Sequence, residues 1–200
     1  SAPIPRKRRF GDRKMGRRLR TLDPYNGFTP FVMRDRQDAS VYFEDTLELS
    51  AAERYIRKKR DAGLRGFGML HLFVAAYLRV LSQRPALNRF VAGQRIYARN
   101  SIQVVMSVKS QMRSDASESS IKVNFSPTDT PETVYQKMNE QIEQIKNAEA
   151  TGTDKVAAFF VSLPRFLLRF VMAIIRSMDY HDLLPKSLLG ASPFHASMVV

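Results

Sequence analysis

The chain has 200 residues, 44% of them hydrophobic, and its 13 Phe and 7 Tyr are enough to build a folded core. It has no Cys, which excludes disulfides, thiolate metal ligands and a Cys nucleophile. Four residues, Pro164, Arg165, Arg169 and Arg176, interrupt its longest apolar region, so we expect no membrane span. No signal-peptide pattern is visible, and together these features predict a cytoplasmic protein.

Positive charge is concentrated at the N-terminus. The first 20 residues hold nine Lys or Arg and the single Asp12, a net +8 out of +13 for the chain. Their lack of apolar periodicity predicts a basic arm over residues 1–24 that is separable from a domain at 25–200. Such an arm can bind nucleic acid, anionic lipid or an acidic protein. We favour packing on its own protein or a neighbouring subunit, and no helix-turn-helix or aromatic platform supports nucleic acid binding.

After the arm, alternation predicts a strand at Val41–Leu49. Ser50 followed by Glu53 forms a capping-box pattern that predicts a helix over 51–61, ended by Gly63. The next segment, 68–84, is apolar around most of its circumference and predicts the most buried helix, closed by Pro85.

Short strands follow around Gly93 and Asn100, and another is predicted at Ser119–Phe125. Thr130 as N-cap and Pro131 at the first helical position predict a helix that runs to about residue 147. This order of elements predicts an α/β fold, a two-layer sandwich with a mixed sheet and flanking helices.

A final helical region at 154–179 is broken by Pro164, and its second half separates arginines from apolar residues. A basic amphipathic helix can lie on a membrane, but we favour packing of its apolar side on the core. The closing sequence "SPFHASMVV" then predicts the start of a buried strand over Phe194–Val200.

The residues alone predict no catalytic constellation. His71 lies inside the buried helix and is expected to be structural, whereas Asp179 and Asp182 flank His181 and either raise its pKa or cap the helix. No metal-ligand spacing, phosphate-binding glycine loop or Gly-x-Ser-x-Gly elbow is present, so we predict neither a catalytic residue nor a metal site.

The segment "RPALNRFVAGQRIYARNSIQVVMSVK" resembles the acyltransferases of 2-oxoacid dehydrogenase complexes and the related chloramphenicol acetyltransferase. In that superfamily a long buried helix ends at a Pro-x-Leu/Phe-Asn/Arg turn, which here is Pro85–Arg89. A strand, a Gly turn and a longer sheet strand follow. "TPFVMRDRQDASVYFEDTLEL" resembles the family's first strand, and "DLLPKSLLGASPFHASMVV" resembles the approach to its active-site turn.

The resemblance implies a chloramphenicol acetyltransferase-like fold, incomplete at the C-terminus, in a homotrimer with a channel between subunits. It implies transfer of an acyl group between coenzyme A, a substrate rather than a bound cofactor, and a thiol such as a dihydrolipoyl group. Ser107 and Lys109, polar positions on the strand that resembles the family's central one, are the candidate substrate-binding residues. An ordinary solvent-facing sheet edge explains them equally well.

The sequence departs from the family's catalytic pattern. It contains no His-x-x-x-Asp-Gly, whose His would deprotonate the thiol, and no hydroxyl turn after the last strand to stabilise the oxyanion. The arm is also too short for a lipoyl domain. The resemblance therefore leaves two alternatives, a truncated form of such an enzyme or a degenerate relative, and it does not decide whether this chain is an enzyme. The alternative is a non-catalytic binding or assembly module whose arm contacts nucleic acid, an anionic membrane or a protein.

Overall fold

The computed structural model of the chain describes residues 7–33, 35, 39–109, 118–146, 164–192 and 194–200. The helices in these ranges are α1 Pro24–Val32, α2 Ser50–Asp61, α3 Met69–Gln83, α4 Pro131–Lys146, α5 Arg165–Tyr180 and α6 Lys186–Ala191. The strands are β1 Gly16–Arg18, β2 Arg89–Ala92, β3 Arg95–Arg99, β4 Ile102–Lys109, β5 Glu118–Phe125 and β6 Met198–Val199. Helices flank two small sheets, which confirms the α/β class.

The first sheet has the order β1-β3-β2 and is antiparallel throughout. Its β2–β3 hairpin turns at Gly93 and Gln94, which have φ of +54° and +55°. Two successive left-handed residues match the twist of the paired strands, so this short turn fixes the hairpin register.

The second sheet has the order β5-β4-β6 and carries the core. β4 pairs antiparallel with β5 and parallel with β6, so the sheet is mixed, as predicted. One face of β4 and β5 packs against α3 and α4. The buried apolar residues of this core are Val74, Ala75, Leu78, Leu81, Ile102, Val104, Met106, Ile121, Val123, Phe125, Val134 and Met138.

The predicted buried helix is α3. Five of its residues are buried, and Pro85 starts a short 3₁₀ turn directly after it. Its N-cap, Gly68, donates its backbone N–H to Nδ1 of His71 at 3.1 Å. His71 is buried and stacked on Phe67, and burial lowers the pKa of its imidazole. The prediction of a satisfied structural His71 therefore holds for Nδ1, whereas Nε2 is buried with no hydrogen-bond partner among the described residues.

The capping predictions succeed at α4 and fail in detail at α2. Thr130 Oγ1 accepts the backbone N–H of Thr133 at 3.3 Å, as an N-cap should. At α2, Ser50 is the first helical residue rather than the cap, and its backbone N–H is satisfied by the Glu48 carboxylate at 2.9 Å. α2 nevertheless ends before Gly63, which has φ of +103°.

The predicted strand at Val41–Leu49 is wrong. The structure assigns no strand there, and Val41, Tyr42 and Phe43 are 91%, 95% and 87% exposed. Alternation makes a segment suitable for a sheet, but a strand also needs a neighbouring strand to pair with. Within the described residues no strand pairs with this segment.

Residues 7–20 of the basic arm pack on their own chain, which is the interpretation the sequence favoured. β1 pairs with β3, and the buried Asp12 accepts the backbone N–H groups of Arg9 and Arg18, both at 2.9 Å. The division into a separable arm at 1–24 and a domain at 25–200 stays a prediction.

The expected packing of the last long helix on the core is wrong. α5 has no buried residue, and its predicted first half at 154–163 lies outside the described residues. None of the described helices is long and apolar enough to cross a membrane. The C-terminal strand exists as β6 but is not buried, because Val199 and Val200 are 61% and 48% exposed.

Candidate functional site

The two residues predicted to bind substrate lie toward one end of β4, the central strand of the second sheet. Ser107 is exposed and pairs with Ser120 on β5, and Lys109 pairs with Glu118 at the last rung of the ladder. The Lys109 side chain lies outside the described residues. Side chains alternate along a strand, so both positions share the sheet face opposite α3 and α4.

Lys122 on β5 shows how part of that second face is covered. Its Nζ donates to the carbonyl oxygens of Leu189 and Ser192 at 2.9 and 2.6 Å, which holds the end of α6 against the sheet. Burial, followed by repulsion from Arg99, lowers the pKa of Lys122. Lys122 pairs with Val105, so the covered part of the face begins two residues from Ser107, which itself is exposed to solvent.

A second group of polar residues joins the end of α5 to the segment after α6. His195 Nδ1 lies 2.8 Å from Ser192 Oγ, and His195 Nε2 lies 3.1 Å from Asp179 Oδ1. An imidazole held between a hydroxyl and a carboxylate can accept a proton from the hydroxyl while the carboxylate stabilises the imidazolium. We call this group the Ser192–His195–Asp179 cluster.

Sequence reasoning missed this cluster. It had placed Asp179 and Asp182 around His181, but the structure bonds neither carboxylate to the His181 ring. Asp179 contacts His195, and Asp182 accepts from the Arg8 guanidinium at 3.2 Å. Asp182 also has φ of +61°, and its carboxylate accepts the backbone N–H of Lys14 at 3.2 Å. Only the three-residue spacing of Ser192 and His195 gave a local signal.

The cluster and the predicted substrate residues lie at opposite ends of β4. The backbone N–H of Ser197 donates to the carbonyl of Gln103 at 2.8 Å, so His195 lies near the start of that strand. Ser107 is four residues farther along β4, about 13 Å at the usual rise per residue. The structure therefore does not bring the histidine and Ser107 together.

A basic cleft of about 460 Å³ lies between the arm, the β2–β3 hairpin and the end of α5. Three arginines outnumber two carboxylates in its lining, which comprises Arg8, Arg13, Arg95, Asp12, Asp182, His181, Tyr97, Tyr180, Gly11 and Gly93. Arg13 stacks over the Tyr97 ring at 5.3 Å and donates to the carbonyls of Asp179, at 2.7 Å, and Tyr180. Guanidinium groups beside aromatic walls suit an anionic, planar ligand.

Within the described residues, no three His, Asp or Glu side chains converge as a metal site would require. Comparison of the chain with protein-family models, curated proteins and solved structures finds no match in any of the three. A function is therefore assigned from the geometry of these groups and from the sequence pattern around Pro85–Arg89.

Proposed function

We propose that this chain is an acyltransferase-like domain of the coenzyme A-dependent class, which moves an acyl group between coenzyme A and a thiol such as a dihydrolipoyl group. The observation that carries the proposal is the second sheet. A long buried helix, α3, ends at Pro85, a hairpin follows, and the chain then enters the central strand of a mixed sheet. The superfamily that the sequence resembles has this order of elements.

The register of β6 supports the proposal that Ser107 and Lys109, near the end of β4, bind the substrate. β6 runs parallel to β4, with Val104 opposite Met198 and Val105 opposite Val199. A strand that kept this pairing would carry its next residues past Ser107 and Lys109. In the family, the hydroxyl-bearing turn that stabilises the oxyanion follows the corresponding strand, so that turn would arrive beside Ser107.

Catalysis of this transfer requires two groups. A base must remove the thiol proton, because a thiol of pKa about 8.5 is only partly ionised near neutral pH. A hydrogen-bond donor must stabilise the oxyanion, and loss of one such donor costs a factor of about 10² to 10³ in rate. His195 is far from Ser107 along β4, so we assign the base to the family's His-x-x-x-Asp-Gly motif, which these 200 residues lack.

The phosphates of coenzyme A require cations, and the basic cleft supplies them. The Arg95 side chain is exposed there and makes no hydrogen bond or ion pair with the described residues. Placing the nucleotide end of coenzyme A in this cleft and its thiol at the Ser107 edge is part of the proposal, as is assembly into the family's trimer.

The test combines binding with turnover. Coenzyme A binding is measured by calorimetry, and acetyl transfer to dihydrolipoamide is assayed for this chain and for any longer gene product. We expect coenzyme A binding by both proteins but turnover by the longer one alone. The Lys109→Gln and Arg95→Gln variants should bind coenzyme A more weakly, whereas the matched surface variant Lys58→Gln should not.

Two results would contradict the proposal. Absence of coenzyme A binding by both proteins would remove the acyltransferase assignment. Full turnover by the 200-residue chain, abolished by His195→Gln, would move the base to the Ser192–His195–Asp179 cluster and would show that the family's active site does not carry over.

A further inference from the structure

Helix α5 exposes an apolar stripe that no other part of the described chain covers. Phe166, Phe170 and Ile174 are 77%, 62% and 43% exposed and recur every four residues, so they form one row along the helix. Leu168, Val171, Ile175 and Met178 are half-buried on the neighbouring side. The Phe166–Phe170–Ile174 stripe is therefore the more exposed side of the helix.

Arginines border this stripe. Arg165 and Arg169 each precede one of the two phenylalanines and are exposed, as is Arg176 one to two turns later. None of the three guanidinium groups is hydrogen-bonded or ion-paired to a described residue. At 100° per residue they fall within about 40° of one another, next to the apolar stripe. The one acidic side chain of α5, Asp179, contacts His195 at the far end.

The cations of the arm lie at the same helix. Arg13 donates to the carbonyls of Asp179 and Tyr180, where the negative end of the helix dipole favours positive charge. Lys14 Nζ donates to the Leu184 carbonyl at 2.7 Å, and Arg8 pairs with Asp182. Basic groups thus extend beyond the C-terminal end of α5.

We propose that α5 docks this protein onto an anionic membrane surface, with Phe166, Phe170 and Ile174 inserted among the acyl chains and Arg165 and Arg169 at the lipid headgroups. Interfacial helices have this division between an apolar side and an arginine-rich side. The side chains of arginines extend along the apolar surface and keep their charge at headgroup level.

Charge selects the membrane over other occupants. A second copy of the chain also carries a net charge of +13, so like charges oppose self-association through an arginine-bordered stripe. A nucleic acid offers phosphates but no apolar layer to take up exposed phenylalanines. An anionic bilayer offers both, and its surface potential attracts basic segments.

The experiment measures cosedimentation of the full 200-residue chain with two vesicle types. One is pure phosphatidylcholine, and the other is an equimolar mixture of phosphatidylcholine and phosphatidylglycerol. We expect binding to the anionic vesicles, weakened by salt, and little binding to the neutral ones. Replacing both phenylalanines, Phe166→Ser and Phe170→Ser, should weaken binding on the order of a hundredfold. Arg165→Gln with Arg169→Gln should weaken it about thirtyfold.

Matched variants separate docking from general effects. Tyr42→Ser with Phe43→Ser removes two exposed aromatic side chains away from α5, and Arg54→Gln with Lys58→Gln removes two positive charges from α2. Both pairs should bind like the unmodified chain. Circular dichroism should show the same thermal midpoint for all variants, because every altered residue is exposed.

Three results would overturn the proposal. They are no binding to anionic vesicles, equal losses in the α5 and matched variants, or an oligomer that the Phe166→Ser, Phe170→Ser variant abolishes in the absence of vesicle binding. The last result would assign the stripe to a second copy of the chain.

Discussion

Two helices of nearly equal length, α3 with 15 residues and α5 with 16, differ in burial. Five residues of α3 are buried and none of α5. α3 has a single charged residue, Arg79, and packs across the apolar face of β4 and β5. α5 carries three arginines. Its hydrogen bonds to the arm, the hairpin and the His195 segment are made by residues 179 and 180 at its C-terminal end.

An apolar side makes a helix amphipathic but does not decide what that side contacts. Burial requires a complementary surface, which β4 and β5 provide for α3. For α5, the hydrogen bonds that join it to the rest of the described chain lie at its C-terminal end, and none of its residues is buried. Among the described residues the phenylalanine stripe has no covering surface.

The largest expected effect comes from truncating equivalent aliphatic side chains in the two helices. Leu78 in α3 is fully buried, so Leu78→Ala should lower the free energy of unfolding by about 2–5 kcal/mol, through lost apolar contact and a cavity. Ile174→Ala in α5 should cost less than about 1 kcal/mol, because this side chain is 43% exposed. Urea denaturation of both variants measures the difference. Equal losses would mean that α5 is a core helix after all.

A smaller effect is expected at the strand that anchors the arm beside α5. A Cβ on Gly16 would lie 2.6 Å from both the Ala98 carbonyl oxygen and the Phe90 ring. Gly16→Ala should therefore separate β1 from β3 and cost about 1–3 kcal/mol. Gly27→Ala in α1 is the matched control, since no atom lies within 4 Å of its Cβ position, and it should be neutral or slightly stabilising. If Gly16→Ala left the free energy of unfolding unchanged, that result would support an arm that is separable from the fold.

The smallest effect is a pH dependence at the start of α3. Burial lowers the pKa of His71 below its ordinary value of 6.5, so the unfolded chain takes up a proton at a pH where the folded chain does not. Stability contributed by neutral His71 is complete above pH 6.5 and falls as the pH drops below that value. The loss should begin below pH 6.5 and grow as the pH falls toward the lowered pKa of folded His71.

The histidine at the end of α5 gives the control for this measurement. Denaturation across that pH range is compared for His71→Gln, whose amide oxygen can still accept the Gly68 N–H, and for His181→Gln, at an exposed position. The acid-sensitive part of the free energy of unfolding should vanish in His71→Gln and persist in His181→Gln. An unchanged acid response in His71→Gln would assign it to another group.

Elements with local signals were predictable from the sequence. Pro85 and Gly68 bound α3, and Thr130 with Pro131 starts α4, because caps and breakers act within one turn. Asp23 followed by Pro24 is the same kind of local signal at the start of α1. The Asp23 carboxylate accepts the Tyr25 N–H at 3.2 Å.

Features that depend on distant partners were not predictable. Val41–Leu49 has the alternation of a strand but no neighbouring strand, and α5 has an apolar side but no core surface to cover it. The Ser192–His195–Asp179 cluster forms because α6 brings residue 195 back to the end of α5, and no spacing in the sequence states that return. Ser107 and Lys109 were placed correctly on the central strand, whereas their role in substrate binding stays a prediction.

Amide hydrogen exchange along α3 and α5 tests the contrast between these helices most directly. In the chain alone, the amides of α3 should exchange only on global unfolding, and those of α5 should exchange through local opening at far lower free energy. Adding vesicles that contain phosphatidylglycerol should slow exchange in α5 and leave α3 unchanged. Protection of α5 equal to that of α3 without vesicles, or no change in α5 with them, would contradict this account.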